Sequence, residues 1–570
     1  MIKKNTENIH EWLLRMKSRD QTIAVTYKNK QTQIWENLTA QQYLQKIVLF
    51  QKILTEKTNN KSLKGQTVAL ISGTRWEWAA IDIATVSSCA LLAPLYPNLN
   101  DEDVIYILNH CSADVLVLES EKHLQQFNRI ENQIIKKIVP IVIDHTQLDS
   151  SRISESDIQL FIDHAKNVQM EDPITVIYTS GTTGQPKGVL MQQQALVSEV
   201  SETFGLFQIS ENQTSLSFLP YAHVMGRIEH WGSCCKGYRL AFAESIETLK
   251  NDLADIKPDF LIAVPRIFEK IYAGVLNQIE TKPMKKKIFL KALAVANKIN
   301  YFRQTKQSAP ISLILQHEIL SKIVFAPVRQ AFGGKLRFAI SGGAPLGAEL
   351  GQFFANMNIQ ILEGYGLTET FAAVTVNTQS QWQLGTVGRP IGDVEIRFDD
   401  DGEILVKSKK NMLEYYKNPE ATKAAFTEDG YFRTGDIGQL TSDGFLKITD
   451  RKKDLIKTAG GKYVAPQKLE GLLKQDPLIS QVLIIGDQRK FISAIISVEI
   501  ASENNAVTLE KIKQHIQKIN STLASYDAIK KFEVVFEFWT IDNGCLTPSM
   551  KVKRKILEKK YSDLIEKIYS

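Results

Sequence analysis

Between Tyr178 and Gly188 the chain reads Tyr-Thr-Ser-Gly-Thr-Thr-Gly-Gln-Pro-Lys-Gly, a loop dense in hydroxyls and glycine that ends in a lysine. Gly181 and Gly184 let backbone N–H groups approach an anion, Ser180, Thr182 and Thr183 add hydroxyl donors, and Lys187 adds charge. That combination suits a polyphosphate. It is not the Walker pattern G-x-x-x-x-G-K-[ST], because Lys187 follows Pro186 and precedes Gly188. A surface turn accounts for the glycines, but not for so many hydroxyls directly after a strand.

Four further stretches follow in order: Ser341-Gly-Gly-Ala-Pro345, Glu363-Gly-Tyr-Gly-Leu-Thr-Glu-Thr370, Tyr431-Phe-Arg-Thr-Gly-Asp436 and Asp450-Arg-Lys-Lys-Asp454. With the loop they resemble the ordered motifs of the adenylate-forming superfamily, which includes acyl-CoA synthetases, luciferases and nonribosomal adenylation domains. The resemblance implies ATP, Mg²⁺ and coenzyme A as ligands and a carboxylic acid as the group activated. It assigns the loop from Thr179 to Gly184 and Lys187 to the ATP phosphates, and Gly343, Tyr365 and Gly366 to the adenine side. Each role makes physical sense: Tyr365 offers a flat face and its glycine neighbours allow close backbone approach. Thr368 can donate to the α-phosphate, and Glu369 offers the hard oxygen that Mg²⁺ takes. Asp436 has two oxygens for the ribose hydroxyls, and Arg451 a fork for ribose or phosphate.

Two more residues gain a role from the same resemblance. His223, in Leu219-Pro-Tyr-Ala-His-Val224, falls where the family places a residue shaping the acyl-carboxylate site. It is not read as a base, because the acid is already a carboxylate. Lys551, in Leu546-Thr-Pro-Ser-Met-Lys-Val-Lys-Arg554, resembles the lysine that stabilises charge while pyrophosphate leaves. Met550 stands where many family members have glycine, and the Thr-Pro-x-x-Lys-x-Lys-Arg form instead resembles long-chain members. For the second half-reaction the resemblance implies a rotating small domain, with its hinge at Lys453. Lys457 and the Gly460–Gly461 pair would then face the incoming thiol.

These residues must be held by something. The chain has 570 residues and 44% hydrophobic content, more than one core can use, so several domains are expected. Apolar runs such as Thr67–Ser72 and Ala113–Leu118 alternate with helical segments at Glu77–Ala90 and Asp101–Cys111, the texture of parallel sheet under covering helices. Candidate strands at Thr175–Thr179, Leu336–Ile340 and Gln360–Glu363 each run into a glycine-containing segment. From Val394 the pattern changes to hairpins joined by Asp-Gly. After Lys453, strands near Val482–Ile485, Ile492–Val498 and Phe532–Phe538 with a helix near Leu509–Leu523 read as a small α+β domain. The expected architecture is therefore an α/β fold. A large multi-subdomain adenylation domain, residues 1–452, has mostly parallel sheets and a β-rich part, and a small mobile α+β domain, 453–570, carries Lys551.

Composition sets the outer bounds. The 69 Lys+Arg against 63 Asp+Glu give a net charge of +6, too little for a nucleic-acid protein of this length. The N-terminus lacks a secretory pattern, so a cytoplasmic protein is expected, and the uncharged run Ile83–Asn100 is read as a buried helix entering a turn. Five cysteines without C-x-x-C are expected as free thiols. Three stretches, Ala263–Tyr272, the insertion before Gly333 and Leu455–Pro466, resemble long-chain fatty acyl-CoA synthetases in particular. Between Thr281 and His317 lie eight Lys/Arg and no acid, with Ile288, Ala292, Val295, Ile299 and Phe302 at helical spacing. Two readings stay open there: peripheral contact with an anionic membrane, or a helix packed on its own domain with a solvated basic face. Two rivals to acyl-CoA formation also stand, an acyl-AMP ligase loading a carrier protein and a nucleotide-binding protein without ligase chemistry.

Overall fold

Strands buried on both faces must be apolar throughout, and such runs form the middle of two large sheets in the computed structural model. It describes residues 7–58, 62–179, 185–280, 283–304, 307–452, 454–476, 478–498, 505–540, 543–547 and 552–570. A seven-stranded sheet is ordered Glu414–Tyr415, Lys187–Gln192, Pro173–Thr179, Leu91–Leu95, Thr67–Ile71, Val115–Leu118, Pro140–Val142. From Pro173–Thr179 to Pro140–Val142 every pairing is parallel, and the two strands at the other edge are antiparallel. The Ile83–Asn100 expectation is corrected here. The helix Trp76–Val86 ends early, and Leu91–Leu95 is a central strand pairing with Thr67–Ile71 and Pro173–Thr179. An apolar run this short cannot be told from a buried helix by periodicity.

The nine-stranded sheet runs Arg389–Pro390, Ala372–Val376, Gln360–Leu367, Phe338–Ser341, Phe260–Ala263, Thr214–Ser217, Arg239–Phe242, Ile23–Lys28, Trp35–Thr39. Its middle is parallel and its two edges antiparallel. The expected hairpins form a four-stranded antiparallel sheet, Glu395–Phe398, Glu403–Lys407, Phe432–Leu440 and Leu446–Arg451. Further on, Ile479–Ile485, Ile492–Val498 and Ile529–Val535 make a three-stranded sheet. The two apolar clusters around it contain no residue before Ile456.

Between the neighbouring strands Phe260–Ala263 and Phe338–Ser341 the chain inserts helices Pro265–Glu280, Pro283–Gln304, Ile311–Leu320 and Ala326–Ala331. Helix Pro283–Gln304 turns Phe289, Ala292, Val295 and Ile299 inward and leaves Lys285, Lys286, Lys287, Lys291 and Lys298 exposed. Its inner side is thus packed on its own domain; Ile288, 42% exposed, falls outside that stripe. All five cysteines are free and only Cys89 is not fully buried.

Helices Trp76–Val86 and Val224–Lys236 are locked by a polar network in the core. Asp82 Oδ2 accepts from Arg227 Nε at 2.7 Å and Trp231 Nε1 at 2.9 Å, and lies 2.8 Å from His230 Nε2. Asp82 and Arg227 are fully buried. Burial alone would raise the Asp82 carboxyl, but Arg227 and then His230 outweigh it and hold it down at about 2. Burial lowers His230, so the imidazole is neutral at pH 7 and donates. Because the folded value of Asp82 lies below the ordinary 3.8, its contribution is complete above that value and lost as pH falls towards about 2. Asp82→Ala strands a buried guanidinium and is expected to lower stability by about 3–5 kcal/mol. Replacing both partners, Asp82→Leu with Arg227→Met, should cost less than the single change. Denaturant midpoints compared at neutral pH and at pH 3 measure both effects; a single variant as stable as the parent would remove the pair from the fold's support.

Candidate active site

The hydroxyl-rich loop closes a hairpin. Strands Pro173–Thr179 and Lys187–Gln192 pair antiparallel with Thr179 opposite Lys187, and Thr179 Oγ1 donates to Lys187 O at 3.5 Å. Ser180, Gly181, Thr182, Thr183 and Gly184 lie outside the described residues. The Lys187 ammonium sits 4.7 Å from the ring centre of Tyr415, whose strand pairs with Lys187–Gln192 through Tyr415 opposite Val189.

Across from this hairpin, strand Gln360–Leu367 runs into the short turn Thr368–Thr370. Thr368 is buried and Glu369 half-buried. Glu369 Oε1 accepts from the Tyr415 hydroxyl at 2.8 Å, and its backbone carbonyl accepts from Met412 N at 2.7 Å. A carboxylate fixed through one oxygen at a cavity wall is the hard donor that Mg²⁺ takes, so the residues fit that ion. The next two residues, Phe371 (φ 50°) and Ala372 (φ 101°), occupy the left-handed region that disfavours side chains. They are held from below. Glu199 accepts from Ala373 N at 3.1 Å, and the fully buried Lys410 donates to Ala373 O at 3.2 Å while pairing with Glu199 at 3.0 Å. Gly366 serves this turn as well: a Cβ there would lie 1.4 Å from Ala372 O. Its need for glycine therefore comes from the neighbouring strand, whatever approaches from the cavity.

The adenine-side and ribose-side motifs meet in a small polar chain. The Tyr365 hydroxyl donates to Asp436 Oδ2 at 2.7 Å, and Arg451 Nε donates to Asp436 Oδ1 at 2.9 Å. Both carboxylate oxygens already have a protein partner, leaving each with one further acceptor position. The Tyr365 ring is only 8% exposed and packs against Val374, Val394 and Ile404, so most of its face is spent inside the fold. Gly343 turns at φ 81°, which fits its Gly-Gly loop. Glu363 links the two motifs: its Oε2 accepts from Leu346 N at 3.3 Å, and burial pushes the carboxyl up to about 7.

One continuous cavity of about 4340 Å³ is lined by Lys187, Tyr415, Thr368, Glu369, Tyr365, Asp436 and Arg451, with Glu199 and Lys410 off its wall, against roughly 300–1,000 Å³ for an ordinary small-molecule site. There is room for several ligands. Part of its wall is apolar, with Phe204, Phe218, Ile228, Ile262, Val264 and Ile340. His223 caps the helix Val224–Lys236 beside that wall, its Nδ1 accepting from Met225 N at 3.3 Å.

On the C-terminal side Lys551 and Lys453 lie outside the described residues. Their neighbours Lys452, Asp454, Val552 and Lys553 line the cavity. Arg554, which donates to Ile484 O at 2.6 Å and pairs with Glu470, anchors the segment that follows Lys551. The cavity thus gathers Thr179, Lys187, His223, Gly343, Tyr365, Gly366, Thr368, Glu369, Asp436 and Arg451. Lys457, Gly460 and Gly461 are not on its wall; Lys457 lies 5.6 Å from the Tyr463 ring on the small ribbon Ile456–Lys457 and Tyr463–Val464. The residues that sequence reading missed are Tyr415, Lys410 and Glu199. Tyr415 lines the cavity and is 46 residues from Glu369, while Lys410 and Glu199 act on Ala373 from off the wall, so no local spacing marks them. An acidic trio, Asp399, Asp401 and Glu403, could hold a cation, but each carboxylate already pairs with Arg433 or Lys452.

Comparison with known proteins agrees with this geometry. Residues 15–416 match the family model of AMP-binding enzymes, and residues 453–570 match that of the AMP-binding enzyme C-terminal domain. The chain is 34% identical over 536 residues to the long-chain-fatty-acid–CoA ligase FadD15 of Mycobacterium tuberculosis, covering 89% of this chain and 88% of that one. It is 27% identical over 563 residues to long-chain-fatty-acid–CoA ligase 1 of Homo sapiens, covering 90% of this chain and 79% of that one. Among solved structures, the A domain of a carboxylic acid reductase from Segniliparus rugosus, in complex with AMP and a co-purified carboxylic acid, superposes with a TM-score of 0.76. The match covers 100% of this chain and 95% of that domain at 19% identity, and so speaks for the fold. Ordered motifs around one cavity, a matching fold and relatives spanning nearly the whole chain lead to one conclusion: this chain belongs to the AMP-binding enzyme family.

Proposed function

We propose that this chain is an ATP-dependent acid–thiol ligase that converts a fatty acid to its acyl-adenylate and then to acyl-CoA, acting on long chains. The observation that carries the reading is the single cavity in which Lys187, Thr368, Glu369, Asp436 and Arg451 face an apolar wall capped by His223. Polar groups for a nucleotide and apolar groups for an acyl chain share one space. Relatives named as long-chain-fatty-acid–CoA ligases favour coenzyme A over a carrier protein as acceptor.

In the first step a carboxylate oxygen attacks the α-phosphorus of ATP, and the bond to pyrophosphate breaks. Lys187 and the hydroxyl loop bind the phosphate tail, Thr368 donates to the α-phosphate, and Asp436 with Arg451 holds the ribose. Lys551 stabilises charge on the reacting oxygens. Glu369 would hold the Mg²⁺, which when bound neutralises phosphate charge. Tyr415 is a positioning residue here. Its hydroxyl fixes one oxygen of Glu369 while its ring lies beneath Lys187, so one side chain sets the spacing of carboxylate and ammonium. In the second step the thiol sulfur attacks the acyl carbonyl, AMP leaves and the thiol proton goes to solvent. Residues 453–570 form the mobile domain in this reading, turning about Lys453 so that Lys457, Gly460 and Gly461 replace Lys551 at the cleft. Separate apolar clusters after Ile456 support it, because such a unit can turn without opening a core.

An acid panel that follows AMP and acyl-CoA tests the whole reading. Long-chain acids should give both products with coenzyme A, and AMP release that needs a carrier protein instead would overturn the acceptor. Glu369→Gln is expected to cut adenylation most at limiting magnesium, the amide keeping size but losing charge. Tyr415→Phe keeps the ring under Lys187 and loses only the bond to Glu369, so the magnesium requirement should rise about tenfold, the worth of a hydrogen bond to a charged group. The apparent KM for the acid should not move; a matching change in both would make Tyr415 merely structural. Lys551→Ala should abolish adenylation yet still convert supplied acyl-adenylate to thioester. Lys453→Pro, which fixes φ, should adenylate but fail to transfer, and wild-type rates in both half-reactions would place the hinge elsewhere.

A further inference from the structure

Surface helices of a soluble domain turn apolar residues inward, and the inserted run Ile311–Ala331 does the reverse. Among the described residues it is the one helical stretch long and apolar enough to cross a membrane, and most of it is not buried. Ile311 is 78% exposed, Leu315 55%, Ile319 58% and Ile323 67%. Spaced by four, they form one outward stripe, which Ile314 widens. Facing inward are the polar residues His317 and Ser321 together with Phe325 and Val328. Ser321 is tied down by Arg329, whose guanidinium donates to its Oγ at 2.9 Å and its carbonyl at 3.1 Å. Phe325 and Val328 belong to the main core, so the inward side is committed to the domain, and the helix lies along the surface and cannot thread a bilayer.

The neighbouring helix Pro283–Gln304 supplies the charge. Phe289 packs 6.3 Å from Phe325, which sets its first turns beside the end of the apolar stripe. Exposed there are Met284 and Ile288, one turn apart, among Lys285, Lys286, Lys287 and Lys291. From Pro283 to Ala331 the sequence has nine Lys/Arg against the single acid Glu318. An apolar stripe beside lysines that far outnumber the one exposed acid, Glu318, complements one kind of surface, anionic headgroups over hydrocarbon.

We infer that this helical insertion docks in the plane of an anionic lipid bilayer, burying Ile311, Leu315, Ile319 and Ile323 with the lysines on the headgroups. Docking also has an address. Phe289 stacks towards Phe353 at 6.2 Å, Phe353 meets Tyr272 at 4.6 Å, and Tyr272 lines the cavity. The consequence, that the cavity's wall is brought near the phase in which long-chain acids partition, rests on the fatty-acid reading; the docking itself does not.

Flotation of the full chain with vesicles tests it. The protein should rise with vesicles containing phosphatidylglycerol, much less with phosphatidylcholine alone, and salt should weaken the association. Leu315→Glu with Ile319→Glu removes two buried apolar anchors and should cut the bound fraction at least about tenfold. Lys285→Glu with Lys286→Glu and Lys287→Glu tests the charge without touching the stripe, and should abolish the preference for phosphatidylglycerol. Failure of the parent protein to float, or flotation of both variants at the parent level, overturns the inference. So would resistance to alkaline extraction, which marks a span, or a dimer in sedimentation that the Leu315/Ile319 change dissolves without altering flotation. Acyl-CoA formation without vesicles is measured in parallel, since its failure beside intact flotation would overturn the catalytic reading alone.

Discussion

Two sheets carry Lys187 and Glu369, the groups proposed to hold phosphate and Mg²⁺, and one tyrosine crosses between them. Lys187 belongs to the seven-stranded sheet, Glu369 follows a strand of the nine-stranded sheet, and Tyr415 touches both. If, as proposed, this lysine and this carboxylate serve one polyphosphate, they must not collapse into a salt bridge with each other. The tyrosine answers that constraint by giving the carboxylate a neutral donor and the ammonium an aromatic face. The edge strand that bears it is short, only Glu414–Tyr415, and its position depends on the fully buried Lys410 tied to Glu199 and to Ala373 O.

Buried charge is the recurring device of this fold. Asp82 with Arg227, and Glu199 with Lys410, each place a full pair in the core beneath the cavity. Such pairs add little net stability over apolar packing, because desolvation offsets most of the attraction. What they supply is geometry. Asp82 ties helix Trp76–Val86 to Val224–Lys236, whose first residue follows His223. Glu199 and Lys410 hold Ala373, which follows the strained pair Phe371–Ala372 two residues past Glu369. A site that must keep several donors within hydrogen-bonding tolerance gains more from fixed direction than from a few extra kilocalories.

The insertion between Phe260–Ala263 and Phe338–Ser341 follows another logic. Its inner side, with Phe289, Ala292 and Phe325, joins the main core, so it is an integral part of the domain. Its outer side keeps large apolar residues in water at a cost that nothing else in the domain offsets. Packing is thus satisfied on one side and left open on the other.

The sequence by itself determined the fold class and picked out most of the proposed site residues that the cavity gathers. Local rules sufficed where a pattern repeats or a motif is contiguous. Asp-Gly marked the hairpins, apolar runs marked the parallel strands, and the glycine-rich motifs lay at strand ends where ligands gather. Asp101–Cys111 and Ile492–Val498 hold their expected bounds. Leu91–Leu95 did not reveal itself, since a short apolar run fits a buried helix equally well. Nor did the outward stripe of Ile311–Ala331, because hydropathy carries no sign for which side faces water. Only the tertiary structure decided which distant groups serve the site, Tyr415 on the cavity wall and Lys410 with Glu199 off it. It also decided that Gly366 makes room for a neighbouring strand and that Asp436 is already held by Tyr365 and Arg451. Hydrogen bonds between residues far apart in the chain have no period, so nothing short of the folded arrangement can place them.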